Sequence, residues 1–216
     1  MPPAAPEQAA RLAHGLQALG LAVDADAQAK LLDYVALLAR WNRTYNLTAV
    51  RDPLEMVTRH LLDSLAVLPY LRGPRIVDVG TGAGLPGIPL AIAAPDHRYT
   101  LLDSNGKKTR FVTQAAAQLG LTQVEVVQAR VEDYVPDAPF DTVVTRAFAE
   151  LPRALAVAGH LCRTGGTFLA MKGAAAHAEA EGLPAGYRLR GVRALTVPGL
   201  DAQRYVVEVT AADPTA

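Results

Sequence analysis

The residues best suited to chemistry in this chain are glycines that follow a short apolar run. Ile76, Val77 and Val79 are typical of a buried parallel strand. Glycines then recur within eight residues, at Gly80, Gly82, Gly84 and Gly87. Because glycine lets the backbone turn sharply and approach a ligand closely, this pattern predicts a strand, a ligand-binding turn and a helix that begins near Pro86.

An acid follows the glycines at the distance typical of a nucleoside-binding turn. Asp103 ends a second predicted strand, residues 99–102, about 20 residues beyond the glycines, where an acid can bind ribose hydroxyls. The order of strand, glycine turn, strand and acid therefore predicts a cofactor that contains adenosine.

The choice of cofactor depends on a second acid, Asp78, which lies two residues before the first glycine. The spacing of Gly82, Gly84 and Gly87 is a literal G-x-G-x-x-G and also suits a dinucleotide. A carboxylate at this turn is unfavourable for a pyrophosphate but suits the sulfonium and ammonium cations of S-adenosylmethionine. We therefore favour S-adenosylmethionine. Asp78 could also tie down the turn by hydrogen bonds, and the two roles are compatible.

Basic residues come after three of the predicted strands and form a second candidate site, made of Arg130, Arg146 and Lys172. Open parallel sheets bind ligands beyond the carboxyl ends of their strands, so these cations could meet an anionic or electron-rich substrate. The alternative is that they only keep the sheet edge soluble. Val131 and Glu132 follow the third strand, where they could hold an adenine or simply begin a helix.

Other combinations of reactive residues give weaker evidence for a catalytic or metal-binding site. His60 and Asp63 lie three apart on a predicted helix and could ligate a metal, but no Cys or His cluster supports this, so we expect a structural hydrogen-bond pair. The single Cys162 excludes an internal disulfide and fits a reducing cytoplasm, where we expect the protein to act. No G-x-S-x-G or Cys/His arrangement indicates covalent catalysis.

Composition limits the class of protein. Half of the 216 residues are hydrophobic, which indicates a globular chain able to bury one α/β core and a small accessory element. Lys plus Arg and Asp plus Glu each number 21, so a nucleic-acid partner would need a local basic face. No apolar run approaches membrane-spanning length, and the N-terminus, MPPAAPEQAARL, is unlike a signal peptide.

The elements that must position these residues fall into two parts. Residues 1–72 predict an N-terminal helical extension packed on the core, with helices at 7–19, 26–41 and 53–68 and an irregular polar segment at 42–48. Residues 73–211 alternate strands with helices, which predicts an α/β fold with a mostly parallel sheet and a C-terminal antiparallel hairpin, 187–197 with 205–209. Residues 212–216 are expected to be a disordered tail.

Seven separate stretches occur in a specific order along the chain: WNRTYNLTAV, HLLDSLAVLPYL, DVGTGAGLPGIPLAI, LLDSNGKKTRF, the step Arg130-Val131-Glu132, TRAFAEL and MKG. In this order they resemble one bacterial family, the 16S rRNA guanine-N7 methyltransferases called RsmG or GidB (glucose-inhibited division protein B). The resemblance covers about residues 31–173, and GTGAGLPGIPL and WNRTYNLT are its most specific elements.

The resemblance implies a class I, Rossmann-like methyltransferase fold that uses S-adenosylmethionine and acts on 16S rRNA or the small ribosomal subunit. It implies that Gly80 and Leu85 lie in the cofactor loop. It also implies that Val131 and Glu132 flank the adenosine and that Arg146 lies at the boundary between cofactor and substrate. The positions it associates with RNA contact or catalysis are Arg130, Arg146 and Lys172.

Other functions stay open at this point. An NAD-dependent dehydrogenase would share the glycine turn, although the sequence has no convincing hydride-handling residues. A non-catalytic RNA-binding module, or a methyltransferase of a small molecule or a protein, would share the fold. The sequence also leaves open whether naked rRNA, an assembly intermediate or the finished subunit is the substrate. We expect the protein to be a monomer.

Overall fold

Residues 5–211, the part of the chain that this computed structural model describes, form a seven-stranded sheet with helices on both faces. The strands are β1 (Arg75–Val79), β2 (Arg98–Asp103), β3 (Val124–Gln128), β4 (Phe140–Arg146), β5 (Cys162–Lys172), β6 (Tyr187–Ala194) and β7 (Tyr205–Ala211). They run in the order β3-β2-β1-β4-β5-β7-β6, parallel from β3 to β5. β7 is antiparallel to both β5 and β6. The predicted α/β fold with a C-terminal antiparallel hairpin is confirmed.

Helices precede the sheet and connect its strands. They are α1 (Pro6–Ala18), α2 (Ala25–Tyr45), α3 (Pro53–Met56), α4 (Asp63–Leu65), α5 (Gly87–Ala93), α6 (Gly106–Gln118), α7 (Leu151–Ala158) and α8 (Ala176–Glu181). Short 3₁₀ turns lie at Leu68–Tyr70, Val131–Asp133 and Gly159–Leu161. Within residues 5–211, no helix combines the length and apolar character that crossing a membrane requires.

Apolar side chains form a core on each face of the sheet. Successive residues of a strand point to opposite faces. Ile76 therefore joins the core beneath α1, α2, α5 and α6, whereas Val77 and Val79 join the core beneath α7 and α8. With both faces covered, β1 can be apolar between its first residue, Arg75, and its end except for Asp78, as parallel central strands usually are.

The N-terminal helices share their core with the helices that follow β1 and β2. Tyr34 of α2 is fully buried, and its hydroxyl donates a hydrogen bond of 2.7 Å to the carbonyl of Ala83 in the glycine turn. Its ring centroid lies 6.3 Å from that of Phe111 in α6. Burial raises the pKa of Tyr34 far above its usual value, so the hydroxyl remains a donor. The helical extension thus supports the turn directly.

The helix predicted at 26–41 continues to Tyr45, so the irregular segment begins later than we predicted. Asn42 accounts for the change because its buried side chain organises the following turn. Its amide donates to the carbonyl of Val50 at 3.1 Å, and its side-chain oxygen accepts from the N–H of Thr48 at 2.9 Å. Asn46 then ends the helix in the left-handed conformation, at a φ of 49°.

Other boundaries also differ from the sequence prediction. The helix predicted at 53–68 ends at Leu65 and has a π-helical stretch, Val57–Leu62. α8 was not predicted, because a helix of six residues is too short to show an apolar period. Arg146 and Lys172 are the last residues of β4 and β5 rather than the residues after them. The predicted disordered tail, 212–216, lies outside the described residues.

Candidate functional site

A cavity of about 360 Å³ opens at the carboxyl ends of the central strands. Parallel strands end at one edge of the sheet, and this is where ligands bind in open α/β folds. Its lining residues are Val79, Gly80, Leu102, Asp103, Ser104, Lys108, Ala129, Arg130, Val131, Glu132, Ala147 and Phe148. The structure therefore brings together the predicted residues of the glycine turn, the second strand and the segment after the third strand.

The floor of the cavity is the turn that follows β1. The backbone N–H groups of Gly80 and Thr81 both donate to the carbonyl of Leu102, at 2.9 and 3.0 Å, which joins the turn to β2. Gly80 has a φ of +70°, and a Cβ there would lie 2.5 Å from Cδ2 of Phe148. Position 80 therefore requires glycine both for its backbone conformation and for the ring packed against it.

Asp103 presents a carboxylate at the side of the cavity. Its Oδ2 accepts from the N–H of Gly82 and its Oδ1 from the N–H of Asn105, each at 2.8 Å. Each carboxylate oxygen has a second lone pair, so both can still accept a hydrogen bond from a ligand hydroxyl. Asp103 and the apolar side chain of Val131 in the same cavity fit the ribose and base of an adenosine.

Asp78 is buried beneath the turn and does not line the cavity. Its Oδ2 accepts from the hydroxyl of Thr81 at 2.6 Å and from the N–H of Gly87 at 2.8 Å. Burial raises the pKa of Asp78 to about 6, although these two hydrogen bonds oppose the shift. The structure thus shows the turn-holding role that the sequence left open. A contact with the cofactor cations stays a prediction.

Gly82, Gly84 and Leu85 shape the turn from outside the cavity lining. Gly82 and Gly84 have φ values of +61° and +89°, and a Cβ on Gly84 would lie 2.6 Å from Cγ1 of Ile88. Leu85 is buried in the core beneath the N-terminal helices. These residues therefore support the cavity through backbone conformation and packing, while direct contact with a cofactor stays a prediction.

The basic residues predicted to share the rim have three different environments. Arg130 is exposed in the cavity lining. Lys172 is bonded to Glu179 of α8, with Nζ 2.7 Å from Oε2, and to the carbonyl of Ala149. Arg146 pairs with Met171 across the sheet, so it lies at nearly the same level as Lys172. The strands bring all three to one edge, but Lys172 and Arg146 are bonded to different partners.

Arg146 is bonded to the N-terminal helices. Its Nη1 lies 3.0 Å from Oδ2 of Asp63 and 3.3 Å from the carbonyl oxygen of Arg59. The next two residues, Ala147 and Phe148, line the cavity, and Ala147 has a φ of +50°. Arg146 therefore lies beside the cavity, while its position at a boundary between cofactor and substrate stays a prediction.

His60 and Asp63 do not form the pair that we predicted. His60 Nε2 lies 2.8 Å from the hydroxyl oxygen of Thr48, while Asp63 binds Arg146 and also Nε of Arg204 at 3.0 Å. Burial lowers the pKa of His60 to about 4, and the charge of Arg146 acts in the same direction. The described residues contain no group of three or more potential metal ligands.

Sequence reasoning missed Phe148, Arg204 and the partners of Asp63. Arg204 and Asp63 are 141 residues apart in the chain, and no local pattern joins them. Phe148 belongs to the TRAFAEL stretch, but only the packed structure shows its ring against Gly80. Asp63 pairs with two arginines rather than with His60.

Known proteins resemble this chain over nearly all of its length. A family model described as "GidB: rRNA small subunit methyltransferase G" matches residues 27–207. A protein of Xanthomonas campestris named Ribosomal RNA small subunit methyltransferase G is 54% identical over 94% of this chain and 95% of its own length. A protein of the same name from Alkalilimnicola ehrlichii is 53% identical over 91% of this chain and 90% of its own length.

Solved structures share the fold at much lower identity. A SAM-dependent methyltransferase from Aquifex aeolicus has a TM-score of 0.60 and 17% identity, covering 77% of this chain and 97% of that chain. TrmN from Thermus thermophilus has a TM-score of 0.55 and 19% identity, covering 79% of this chain and 53% of that chain. These likenesses show a shared fold and no more.

Proposed function

Because the chain belongs to the GidB family, described as rRNA small subunit methyltransferase G, we propose that it transfers a methyl group from S-adenosylmethionine to N7 of a guanine in 16S rRNA. The observation that supports this most directly is the cavity in which Gly80, Asp103 and Val131 meet at the ends of β1, β2 and β3. An adenosine-containing methyl donor fits this combination of close backbone, acid and apolar surface.

Residues of the cavity would hold the cofactor by three kinds of contact. Asp103 would accept hydrogen bonds from the ribose hydroxyls, Val131 would pack against the adenine, and the backbone at Gly80 would allow close approach of the chain. When bound, S-adenosylmethionine supplies an electrophilic methyl group. Phe148 packs against Gly80 in the turn and would limit the access of water to a bound cofactor.

Transfer to guanine N7 needs orientation rather than proton removal. N7 already carries an exposed lone pair, so no general base has to act before transfer. Good alignment alone can provide effective molarities on the order of 10⁵ M or more. The chain's task is therefore to hold the base in line and to exclude water.

Arg146 and Glu132 are the side chains that we assign to contact with the base. Arg146 would donate to O6 of guanine, since a donor on N7 itself would block transfer. The methylated base is cationic, and a carboxylate nearby stabilises the charge as it develops. Glu132 is exposed in the cavity lining, whereas Asp78 is buried beneath the turn, so Glu132 is the better candidate for that role.

The target guanine is expected in a loop or as an extruded base. The major groove of an RNA helix is deep and narrow, so N7 of a paired guanine is out of reach of side chains. The whole chain has zero formal charge, and the cavity lining contains two cations, Lys108 and Arg130, beside two acids, Asp103 and Glu132. Each of the two cations could bind a backbone phosphate, and an rRNA substrate would place the reaction in the cytoplasm.

Methyl transfer with a labelled donor tests this function. Unmethylated 16S rRNA, purified small subunits and an assembly intermediate are each incubated with the protein, and the labelled base is identified after digestion. We expect N7-methylguanine at a single position in at least one of the three. Label at a different base atom, or none in any substrate, contradicts the proposal. Calorimetric titration with S-adenosylmethionine and with NAD separates it from a dehydrogenase.

A further inference from the structure

A buried carboxylate joins two arginines beside the cofactor cavity. Asp63 is 3% exposed, and its two oxygens accept from different guanidinium groups. Oδ2 lies 3.0 Å from Nη1 of Arg146, and Oδ1 lies 3.0 Å from Nε of Arg204. Asp63 belongs to the N-terminal helices, Arg146 ends β4 and Arg204 precedes β7. Three distant parts of the chain therefore meet in one ion cluster.

The cluster has more positive charge and more donors than its own contacts use. One carboxylate faces two guanidinium groups, so the three side chains together carry a net charge of one positive unit. The hydrogen bonds of the described residues involve Nη1 of Arg146, and Nε and Nη1 of Arg204, whose Nη1 donates to the carbonyl of Gln203. Each guanidinium carries five N–H donors. The side chains are 20% and 32% exposed, so the remaining donors can reach a ligand.

The strand register places this cluster at the edge where the cavity opens. Tyr205, the first residue of β7, pairs with Lys172 at the end of β5. Arg204 therefore extends past the carboxyl end of β5, on the same edge as Arg146. Ala147 and Phe148 continue from Arg146 into the cavity lining. A nucleotide whose base enters at Arg146 would bring its backbone near Arg204.

We propose that Arg204 binds a backbone phosphate of the target nucleotide and that Asp63 is the positioning residue for both arginines. A guanidinium matches the oxygens of a phosphate with two parallel N–H donors, and such contacts set the register of a nucleic acid. Asp63 holds the two planar groups in place before the RNA arrives, so less side-chain freedom is lost on binding. The inference rests on the proposed function and deepens it.

A purely structural salt bridge is the competing explanation. In that case the cluster would only hold the N-terminal helices against the C-terminal hairpin, and Asp63 could do this by pairing with one arginine. A purely structural role gives no reason for a second guanidinium group or for N–H donors that bind no group of the protein. Variants of Arg204 separate the explanations by what they change, because loss of a structural pair lowers the melting temperature, whereas loss of a phosphate contact lowers RNA affinity and the salt slope.

The first experiment measures binding of unmethylated 16S rRNA by Arg204→Gln, Arg204→Lys and the wild type at several salt concentrations. We expect Arg204→Gln to weaken RNA binding about three- to tenfold and to reduce the salt slope by about 0.7, the value for one phosphate contact on a single strand. Arg204→Lys should restore the slope but not the full affinity, since it lacks the planar fork. Affinity for S-adenosylmethionine should stay within twofold.

Arg188→Gln is the matched control, because it removes the same charge from the other end of the hairpin. Arg188 is exposed and pairs with Thr210, five residues along β7 from Tyr205. This variant should bind rRNA as the wild type does. An equal loss in Arg188→Gln, or an unchanged slope in Arg204→Gln, would overturn the inference.

The second experiment tests the positioning role through Asp63→Asn, which keeps the shape and removes the charge. RNA affinity should be kept or increased at low salt, while turnover falls at least tenfold because the arginines lose their orientation. A purely structural Asp63 predicts a lower melting temperature with full turnover in the folded protein. If Asp63→Asn does not fold, the Arg204 variants decide alone. A wild type that methylates no rRNA contradicts the proposed function, whereas normal methylation by Arg204→Gln contradicts only this inference.

Discussion

Asp103 accepts a hydrogen bond of 2.8 Å from the backbone N–H of Gly82, 21 residues earlier in the chain. The carboxylate thereby links the end of β2 to the turn after β1. It lines the cavity at the same time. One side chain therefore shapes the cofactor turn and offers the acceptor that a ribose needs, so the two effects of losing it should appear together.

Asp103→Ala should weaken binding of S-adenosylmethionine by about 1–3 kcal/mol, the range for losing charge-assisted hydrogen bonds. It should also lower the melting temperature, because the N–H of Gly82 loses its acceptor. Calorimetric titration and thermal unfolding measure the two effects. Asp96→Ala, which removes an exposed acid before β2, is the control and should change neither. Unchanged cofactor affinity in Asp103→Ala would refute the ribose assignment.

Gly80→Ala should abolish cofactor binding, since the new Cβ would lie 2.5 Å from the Phe148 ring. Gly20→Ala is a matched control, because Gly20 has nearly the same backbone, with a φ of +67°, but no atom within 4 Å of the added Cβ. Both variants carry the left-handed strain of about 1–2 kcal/mol. Only the first should lose binding in a calorimetric titration. Adding Phe148→Ala should relieve part of the collision, and a Gly80→Ala protein with normal affinity would contradict the close-packing argument.

Arg146→Ala should keep affinity for S-adenosylmethionine within about tenfold and lower methyl transfer far more, as expected for a residue that acts on the substrate side. Its guanidinium bonds to Asp63 rather than lining the cofactor cavity. Calorimetry and single-turnover methylation of rRNA separate the two effects. Arg153→Ala, an exposed arginine on α7, serves as the control. Normal turnover in Arg146→Ala would show that the base is held by other groups.

Protonation of His60 should lower the free energy of unfolding in mild acid. Its lowered pKa of about 4 means that the unfolded chain binds the proton more tightly, so stability falls as pH drops from about 6.5 towards 4. At pH 5 the free energy of unfolding should be lower by about 2 kcal/mol because of His60. Asp78 acts in the opposite direction, because its pKa of about 6 makes the folded state bind more protons.

Comparison with His60→Gln isolates the contribution of the histidine from that of Asp78. Urea unfolding of both proteins at pH 7 and pH 5 gives the difference. Between the two pH values, the free energy of unfolding of the variant should fall by about 2 kcal/mol less than that of the wild type. Equal losses in both proteins would show that His60 titrates normally in the fold.

Glu179→Gln should destabilise the protein by about 1–3 kcal/mol, because Glu179 Oε2 accepts from the N–H of Leu151 at 2.6 Å and pairs with Lys172. Glu181→Gln, on the exposed side of the same helix, should change stability by less than about 0.5 kcal/mol. Urea unfolding measures both. If Lys172 also acts on the substrate, Glu179→Gln should alter methyl transfer beyond the loss of folded protein. Equal stability of the two variants would contradict the ion-pair role.

Short-range requirements explain why the cofactor turn could be predicted from the sequence. The apolar run of β1 and the glycines after it satisfy demands of the backbone within a few residues, and Asp103 follows at the spacing typical of a nucleoside-binding turn. α8 and the π-helical stretch Val57–Leu62 escaped prediction because neither is long enough to have a period of its own. Short-range sequence patterns therefore predicted the cofactor turn but not all of the helices around it.

The sequence by itself determined the α/β fold, the glycine turn and the acid that ends β2, because these depend on residues close together in the chain. Only the tertiary structure decided the partners of the charged side chains. Arg146 meets Asp63, 83 residues away, and Arg204 meets the same carboxylate, since the sheet order brings the end of β4 and the start of β7 beside the N-terminal helices. Ion pairs depend on distance in space, which no spacing along the chain encodes.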